Sequence, residues 1–417
     1  MTGELEVRFE DGLVGLITAD PEFRLTYAAE WLARATAFPI SVSLPLRSEP
    51  WGGPVAAAWF GNLLPEGAAR QAVCGRLGIS DDNDLALLRA IGGECAGALT
   101  IIDPRASPSL TTDGAKPEEL DGRALSAVVA SGAAPLLIGG PGLRLSLAGA
   151  QNKLPVTLVD GRVCLPSAGA ASTHLLKLPH PRFAHLPINE AFVMGLAAHI
   201  GLDVAHVQVF TGTTPPSLLV ERYDRVVAAP NAGVRRLHQE DFCQATGRSA
   251  GRKYEQEGGP SLAEGVSLVA RHTTRPLPDV RRLLEWQAFN LIVGNCDGHG
   301  KNLSLLREGG GLRLAPFYDL LSTRQYRVLD RNLAMSVGGR RDPDVVHRAQ
   351  WQALARDASF AERFVLDLVG ATVHRVMDGL SAWTEAFSAT NGRQAIIPTL
   401  PRWIAKNAMA AGRRAQG

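Results

Sequence analysis

The stretch Asn295-Cys-Asp-Gly-His-Gly-Lys-Asn302 decides how the rest of this chain is interpreted. An apolar helix, Leu283 to Val293, is expected before it, and a short strand, Leu303 to Leu306, after it. The stretch is therefore expected to be a loop between a helix and a β-hairpin, with Asp297 and Asn302 five positions apart. Asp-Gly and Gly-Lys-Asn are also ordinary turn sequences, so a purely structural turn is the alternative interpretation.

The chemistry that this spacing favours is phosphoryl transfer. Protein kinases place a catalytic carboxylate and a metal-binding asparagine at this separation, although roughly one chance match is expected in a long chain. Such an enzyme also needs a backbone loop over the phosphates, a lysine that holds them, and a further Asp for Mg²⁺. A kinase sequence should therefore also contain the phosphate loop, the lysine and the second Asp, in the order that protein kinases use.

The further carboxylate is Asp319, at the end of the apolar stretch Leu314-Ala-Pro-Phe-Tyr-Asp319 and seventeen residues after Asn302. This position suits a metal-binding Asp at the end of a kinase hairpin, although Phe-Tyr-Asp is not Asp-Phe-Gly. The alternative is that Asp319 caps a short helix over residues 320–323.

The phosphate-binding lysine is expected in the strand Leu175-Leu-Lys-Leu178. Apolar neighbours hold the stem of Lys177 in the protein, and its ammonium can bind phosphate as a point charge. The alternative is an edge-strand lysine that faces solvent. Glu190, near the start of the next helix, either pairs with Lys177 or complements the positive end of that helix.

Two further segments complete the set. Ser146-Leu-Ala-Gly-Ala-Gln-Asn-Lys153 is a small-residue turn between strands, whose N–H groups can cradle phosphates although it is not GxGxxG. Glu221-Arg-Tyr-Asp224 lies where the pattern changes from strands to helices, and it is expected to form a hinge facing an adenine ring. Together these candidates favour a kinase that uses ATP and Mg²⁺.

The order of strands followed by helices along the chain predicts a two-lobed α+β protein with a cleft between the lobes. The Pro-, Ser-, Thr- and Asp-rich composition near residue 110 marks a boundary. The predicted units are an N-terminal β/α subdomain (1–105), a linker (106–139), a β-rich N-lobe (140–223) and an all-helical C-lobe with the catalytic loop (224–417), which one short hairpin interrupts.

Five local features are predicted. Residues 239–246 are predicted to be a helix, and residues 358–376 and 378–388 two further helices. The alternating stretch Ser41 to Leu46 indicates a strand. The basic stretch Arg402 to Arg414 is expected to be a solvated tail.

Composition narrows the class of protein. A net charge of +2 argues against tight binding of nucleic acid by this chain alone. The five cysteines lie far apart without a CxxC pair, which argues against a disulfide framework and suits a reducing compartment. No signal-peptide pattern starts the chain, and no apolar run approaches the ~20 residues of a membrane helix. We therefore expect a cytoplasmic protein without a membrane partner.

Stretches from both ends of the chain carry a resemblance to a known family: Tyr27–Leu32, Ser43–Leu46, Gly61–Glu66, Arg144–Lys153, Thr173–Pro179, Asn189–Glu190, Val220–Arg225, Gln239–Gln244, Lys253–Tyr254, Asp297–Asn302 and Pro316–Asp319. These stretches resemble HipA, the toxin kinase of HipBA toxin–antitoxin modules. The sequence departs from the family pattern at Gly300, which replaces an alanine, and at Asn152, which replaces an acidic residue.

The resemblance implies a two-lobed, protein-kinase-like fold with an additional N-terminal β/α subdomain, and a role for each motif. Asp297 is implied to be the catalytic base, and Asn302 and Asp319 to hold Mg²⁺. The implied nucleotide-binding residues are Ala148, Gly149, Ala150, Gln151, Asn152, Lys153, Lys177, Glu221, Arg222, Tyr223, His299, Lys301, Asn302 and Asp319.

The resemblance further implies that Ser146 is autophosphorylated and that the enzyme thereby inactivates itself. Targets in the family are protein serines, notably in glutamyl-tRNA synthetase, an aminoacyl-tRNA synthetase. The implied partner is a HipB-type helix-turn-helix antitoxin, through which alone operator DNA is contacted. The alternatives are a small-molecule kinase on the same fold and a non-catalytic corepressor subunit of an antitoxin–DNA complex.

Overall fold

The computed structural model describes residues 3–105, 117–131, 153–167, 169–227 and 233–417. The first unit is built on an antiparallel sheet in the order β4-β3-β2-β1-β5. Its strands are β1 (Leu5–Phe9), β2 (Gly12–Ala19), β3 (Phe23–Tyr27), β4 (Trp51–Gly52) and β5 (Leu99–Ile102). Its helices are α1 (Ala29–Leu32), α2 (Pro54–Gly61), α3 (Gly67–Leu77) and α4 (Asp84–Ile91). We call residues 3–105 the N-terminal unit.

A six-stranded antiparallel sheet in the order β10-β11-β9-β7-β8-β6 follows. Its strands are β6 (Glu118–Glu119), β7 (Lys153–Val159), β8 (Arg162–Leu165), β9 (His174–Lys177), β10 (Val207–Phe210) and β11 (Ser217–Glu221). Two helices accompany it, α5 (Gly122–Ser131) and α6 (Leu186–His199). The described part of the expected linker thus holds a strand and a helix, and its apolar residues Leu120, Leu125 and Val128 are buried in the hydrophobic core that the N-terminal unit shares with this sheet.

The two faces of this second sheet belong to different hydrophobic cores. Leu219 of β11 packs with the core of the N-terminal unit, as do Leu154 of β7 and Leu176 of β9. The flanking Leu218 and Val220 pack with α6 and the helical lobe. Alternate side chains of a strand point to opposite faces, so one sheet joins the N-terminal unit to the rest of the molecule.

The remaining lobe is helical except for two small sheets. The ribbon consists of β12 (Arg225–Val227) and β13 (Val234–Arg236), and the three-stranded sheet of β14 (Gln239–Asp241), β15 (Ser304–Glu308) and β16 (Gly311–Leu314). The helices are α7 (Phe242–Ala245), α8 (Leu262–His272), α9 (Pro276–Val293), α10 (Arg348–Asp357), α11 (Glu362–Asn391) and α12 (Leu400–Gln416). The hairpin expected after Asn302 is therefore present as β15 and β16.

Three helix predictions need correction. Residues 239–241 pair with β15 as a strand, and the helix begins only after Asp241, whose side chain caps it by accepting from Gln244 N. The two helices expected over 358–376 and 378–388 are one continuous helix, α11 (Glu362–Asn391). Gly379 lies within it, against His199 of α6.

The expected tail and the expected strand also differ from the structure. Residues 400–416 form α12, in which Leu400, Ile404 and Ala408 recur every four residues and are buried. The basic residues occupy the remaining faces of this helix. Ser41 and Leu44 form only an isolated bridge within a turn, so Ser41 to Leu46 is not a regular strand.

Two further features concern the cysteines and the hydrophobicity of the helices. All five cysteines are buried and free of disulfides. Within the described ranges, no helix is both long enough and apolar enough to span a membrane.

Candidate active site

The loop of residues 297–302, which we call the catalytic loop, begins just after α9. Gly294 ends that helix in the left-handed region, at φ 67°, which glycine adopts without a steric penalty. Asn295 then fixes the turn: its Nδ2 donates to Asn290 Oδ1 at 3.0 Å, and its Oδ1 accepts from Asp297 N at 3.1 Å. The backbone of Asp297 is thereby held before any substrate is present.

Lys177 reaches two carboxylates at the boundary between the sheet and the helical lobe. Its Nζ donates to Glu190 Oε1 on α6 and to Asp319 Oδ1 beyond β16. The ammonium and the Glu190 carboxylate are buried. The structure therefore selects the paired arrangement over a solvent-facing lysine, and over a Glu190 that only complements its helix.

The charges in this cluster follow from burial and contact. Burial alone would lower the pKa of Lys177, but the carboxylates of Asp319 and Glu190 outweigh it and raise that pKa. Burial would raise the pKa of Asp319, but Lys177 and Lys153 lower it to about 2. Burial raises the pKa of Glu190 against the opposing effect of Lys177. Asp319 is thus the carboxylate that is ionised beside a charged lysine.

Asp319 also contacts the catalytic loop. Asn302 Nδ2 donates to Asp319 Oδ2 at 3.1 Å, and Asn302 Oδ1 accepts from His299 N at 3.1 Å. Asp319 has φ 56°, a left-handed conformation that Asp tolerates better than most residues. It does not cap a helix over residues 320–323, because that segment is irregular apart from a turn beginning at Thr323.

Lys153 lies beside Lys177 on the neighbouring strand, since the two residues are direct partners in the pairing of β7 with β9. Burial lowers the pKa of Lys153 to about 8, with a further contribution from the charge of Lys177 and against that of Asp319. Two adjacent ammonium groups repel each other, and a phosphate between them relieves the repulsion. The pair is therefore a site for an anion.

Asp297 is exposed and hydrogen-bonded. Tyr254 OH donates to its Oδ1 at 2.6 Å, and partial desolvation in the cleft raises the pKa of Asp297 above its ordinary value. His299 lies edge-on to the Tyr254 ring, at 5.1 Å between ring centroids. Burial, together with the charges of Lys253 and Lys301, lowers the pKa of His299 to about 3, so its imidazole is neutral.

A cavity of about 300 Å³ opens beside Asp297. Tyr254, Glu257, Asp330 and Arg341 are among the residues that line it. Asp297 is therefore accessible from a space large enough for a side chain of another molecule.

The structure places two expected nucleotide-binding residues elsewhere. Lys301 is buried, and its Nζ bonds to Asn62 and Asp241, so its charge is already neutralised and does not face Lys177. Arg222 is buried in an ionic cluster with Glu94 and Asp224, which joins it to the N-terminal unit. Long polar side chains next to a cleft need not point into it.

The remaining residues expected to bind the nucleotide differ in how exposed they are, and some lie outside the described residues. Glu221 is exposed at the end of β11 and lies 3.6 Å from His206, whereas Tyr223 is half-buried and stacks on Tyr318 at 5.9 Å. Six predicted residues lie outside the described residues: Ser146, Ala148, Gly149, Ala150, Gln151 and Asn152. Tyr254 and Asn62 received no role from the sequence, because nothing local indicates which distant side chains meet the catalytic loop.

Residues 5–102 match the family model of the HipA N-terminal domain, and residues 145–380 match that of the HipA-like C-terminal domain. The chain belongs to the HipA family. This HipA-family chain is 42% identical over 381 residues to Y4mE of Sinorhizobium fredii, which carries the name of a kinase, covering 89% of this chain and 90% of the relative. It is 32% identical to the serine/threonine-protein kinase toxin HipA of Shewanella oneidensis, covering 84% of this chain and 82% of the relative.

A solved structure extends the likeness to three dimensions. HipA of Shewanella oneidensis, in its complex with HipB and operator DNA, superposes with a TM-score of 0.83 at 26% identity. The match covers 99% of this chain and 96% of that one. The HipA-family fold is therefore shared along nearly the whole chain, and the chain is a kinase with a two-lobed α+β fold.

Proposed function

We propose that this HipA-family kinase transfers the γ-phosphate of ATP, with Mg²⁺, to a serine or threonine hydroxyl of a protein. The observation that carries the proposal is the meeting of Lys177, Asp319 and Asn302 at one point, with Asp297 on the same loop as Asn302. These four groups supply the phosphate contact, the metal ligands and the base that phosphoryl transfer requires.

The nucleotide phosphates lie against the two lysines. Lys153 and Lys177 are cross-strand neighbours, and each gains an anionic partner when a phosphate binds. Asp319 and Asn302 would hold Mg²⁺ through their side-chain oxygens, because this ion prefers carboxylate and amide oxygens and takes its other ligands from phosphate and water. Asn302 now turns its Nδ2 towards Asp319, so its amide would rotate to present Oδ1 to the metal. Bound there, Mg²⁺ neutralises charge that develops on the transferring phosphoryl group.

Asp297 receives the proton of the acceptor hydroxyl. Its carboxylate is exposed to the adjoining cavity, and Tyr254 OH holds one of its two oxygens. The second oxygen remains available to orient a hydroxyl that enters from the cavity. His299 is neutral and buried beneath Tyr254, so it supports the ring without competing for the proton.

The finer role is that of the toxin in a toxin–antitoxin module. The support comes from the relative named as a toxin kinase and from the solved complex of HipA with HipB and operator DNA. We propose a HipB-type helix-turn-helix antitoxin as the partner, and an aminoacyl-tRNA synthetase or another translation factor as the cytoplasmic target. A net charge of +2 favours contact with operator DNA only through the antitoxin.

The proposal is tested by incubating the purified chain with labelled ATP, Mg²⁺ and bacterial translation proteins. We expect label in a serine or threonine of a protein. Label on a sugar or antibiotic, with none on any protein, would overturn the assignment. The partner is tested by gel shift with operator DNA at physiological salt, where we expect a shift only when the antitoxin is added. A tight, sequence-specific shift by the chain alone would contradict that part.

A further inference from the structure

Two hydrogen bonds join Asn62 of the N-terminal unit to Lys301 of the catalytic loop. Lys301 Nζ donates to the carbonyl oxygen of Asn62 at 3.0 Å and to its side-chain Oδ1 at 2.8 Å. Asn62 is 1% exposed and Lys301 is 8% exposed. The contact is therefore a buried link between the unit that begins the chain and the loop that carries Asp297.

The surroundings of Lys301 hold its ammonium in one place. Asp241 Oδ2 accepts from it at 3.0 Å, while Asp241 Oδ1 caps α7 by accepting from Gln244 N at 2.8 Å. Asn62 Nδ2 in turn donates to Arg248 O at 2.8 Å in the helical lobe. Removing one member of such a buried network leaves the others without partners, so the arrangement resists small displacements.

The link leads directly to the metal ligands. Lys301 immediately precedes Asn302, whose side chain meets Asp319. The carbonyl oxygen of Lys301 accepts from Tyr318 OH at 2.8 Å, and Tyr318 immediately precedes Asp319. The peptide that Asn62 anchors thus carries one metal ligand and contacts the neighbour of the other.

A second connection supports the other end of the loop. Glu66 of the N-terminal unit pairs with Lys253 at 2.9 Å, and the carbonyl oxygen of Lys253 accepts from Gly300 N at 3.1 Å. The next residue, Tyr254, donates to Asp297. Both connections run from the segment at the end of α2 to the catalytic loop.

We infer that the N-terminal unit positions the catalytic loop for metal binding, and that Asn62 is a positioning residue which acts through Lys301. This inference rests on the proposed function, because it assigns a further role within the same site. Asn62 bonds to Lys301. By holding Lys301, it fixes the position of the next residue, Asn302. A displacement of about 1 Å at a reacting group can cost about 10²-fold in rate.

Asn62→Ala is expected to lower kcat by about 10- to 100-fold and to raise the Mg²⁺ concentration for half-maximal activity. Lys301→Met is expected to do the same, and the double variant to lose little more, because both changes break one link. Asn62→Asp keeps the oxygen acceptors for Lys301 but loses the bonds from Asn62 Nδ2 to Ala58 O and Arg248 O, so it is expected to lie between wild type and Asn62→Ala. The matched control is Ser43→Ala, which removes the bond from Ser43 Oγ to Gln244 O, 2.8 Å long, at the same interface.

Kinetics in a Mg²⁺ titration are combined with hydrogen exchange of the amides of residues 299–302. Faster exchange and a higher Mg²⁺ requirement in Asn62→Ala and Lys301→Met, but not in Ser43→Ala, support the inference. Wild-type values in Asn62→Ala, or in Lys301→Met, overturn it. If the wild type transfers no phosphate, the proposed function fails, whereas the exchange comparison still decides whether Asn62 holds the loop.

Discussion

Lys177 and Asp319 form an ion pair although 142 residues separate them in sequence. The lysine comes from the last position of β9 and the aspartate from the segment after β16, so the pair joins the two lobes at the point where the nucleotide phosphates are proposed to bind. Glu190 on α6 is the second carboxylate of Lys177. The cluster is nearly closed to solvent at Lys177 and more open at Asp319.

Lys177→Met removes the one charge that both carboxylates share. Breaking a buried ion pair from one side costs about 3–5 kcal/mol, because the remaining carboxylate is left uncompensated. We expect a lower free energy of unfolding in urea and loss of ATP binding by calorimetry. Lys177→Arg, which keeps the charge, is the control. A Lys177→Met protein with wild-type ATP affinity would show that the lysine does not hold the phosphates.

Asp297→Asn removes the proposed base while keeping the size of the side chain. The rate of phosphoryl transfer is expected to fall at least ~10²-fold, in line with general-base contributions. The carboxylate is exposed, so the unfolding midpoint should change little. Asp378→Asn, at an exposed position on α11, serves as the control. Transfer at the wild-type rate by Asp297→Asn would refute the assignment of Asp297.

Lys153 predicts a pH dependence of nucleotide binding. Burial lowers its pKa from 10.5 to about 8, so the ammonium loses its proton as the pH rises through 8, and the affinity for ATP should fall there. The pKa of Lys153 is lower in the folded protein than in the unfolded chain. Below pH 8 the lysine is therefore charged in both the folded and the unfolded state, and its buried charge destabilises the fold. Between about pH 8 and 10.5 it is neutral only in the folded state, so its contribution to the free energy of unfolding rises with pH. Lys153→Arg should bind ATP with an affinity that is flat across this range. An equally steep fall in Lys153→Arg would assign the titration to another group.

Gly300 lies where a larger residue would clash with its neighbours. A Cβ at this position would lie 2.5 Å from Pro260 Cγ and 2.9 Å from Cys243 Sγ, closer than packed atoms allow. Gly300→Ala should therefore displace the catalytic loop, with a loss of about 1–3 kcal/mol in stability and reduced kcat. Adding Pro260→Ala removes the nearest of these contacts but leaves that with Cys243 Sγ, so it should restore part of both quantities. Failure of Pro260→Ala to restore either one would mean that the glycine is required for another reason.

Ser146 is predicted to be a site of self-modification. Incubation with ATP and Mg²⁺ should add one phosphate, which mass spectrometry should locate at Ser146, and Asp297→Asn should prevent it. A phosphoserine carries about −1.5 to −2 charges, so next in sequence to residues 148–153, which we propose contact the ATP phosphates, it should repel the nucleotide and lower its affinity. A phosphorylated form that binds ATP as tightly as the unmodified protein would contradict this switch.

The sequence by itself was sufficient for features that depend on neighbouring residues. The helix before Gly294, the loop from Asp297 to Asn302 and the hairpin after it were all predicted, because periodicity and turn residues act over a few positions. The family was also recognised from short motifs, and the matches over residues 5–102 and 145–380 confirm it. Boundaries failed where a tertiary contact intervened, as at residues 239–241, which pair with β15 in place of continuing a helix.

Only the tertiary structure decided which distant side chains meet. Asn62 and Lys301 are 239 residues apart, and Tyr254 and Asp297 are 43 apart, so no local pattern places them together. The same holds for the charge of each group: Lys153 and Lys177 are both strand lysines by sequence, yet burial lowers the pKa of one while two carboxylates raise the pKa of the other. Residue identity sets what a side chain can do, whereas packing sets its partners and its exposure to water, and these determine its charge.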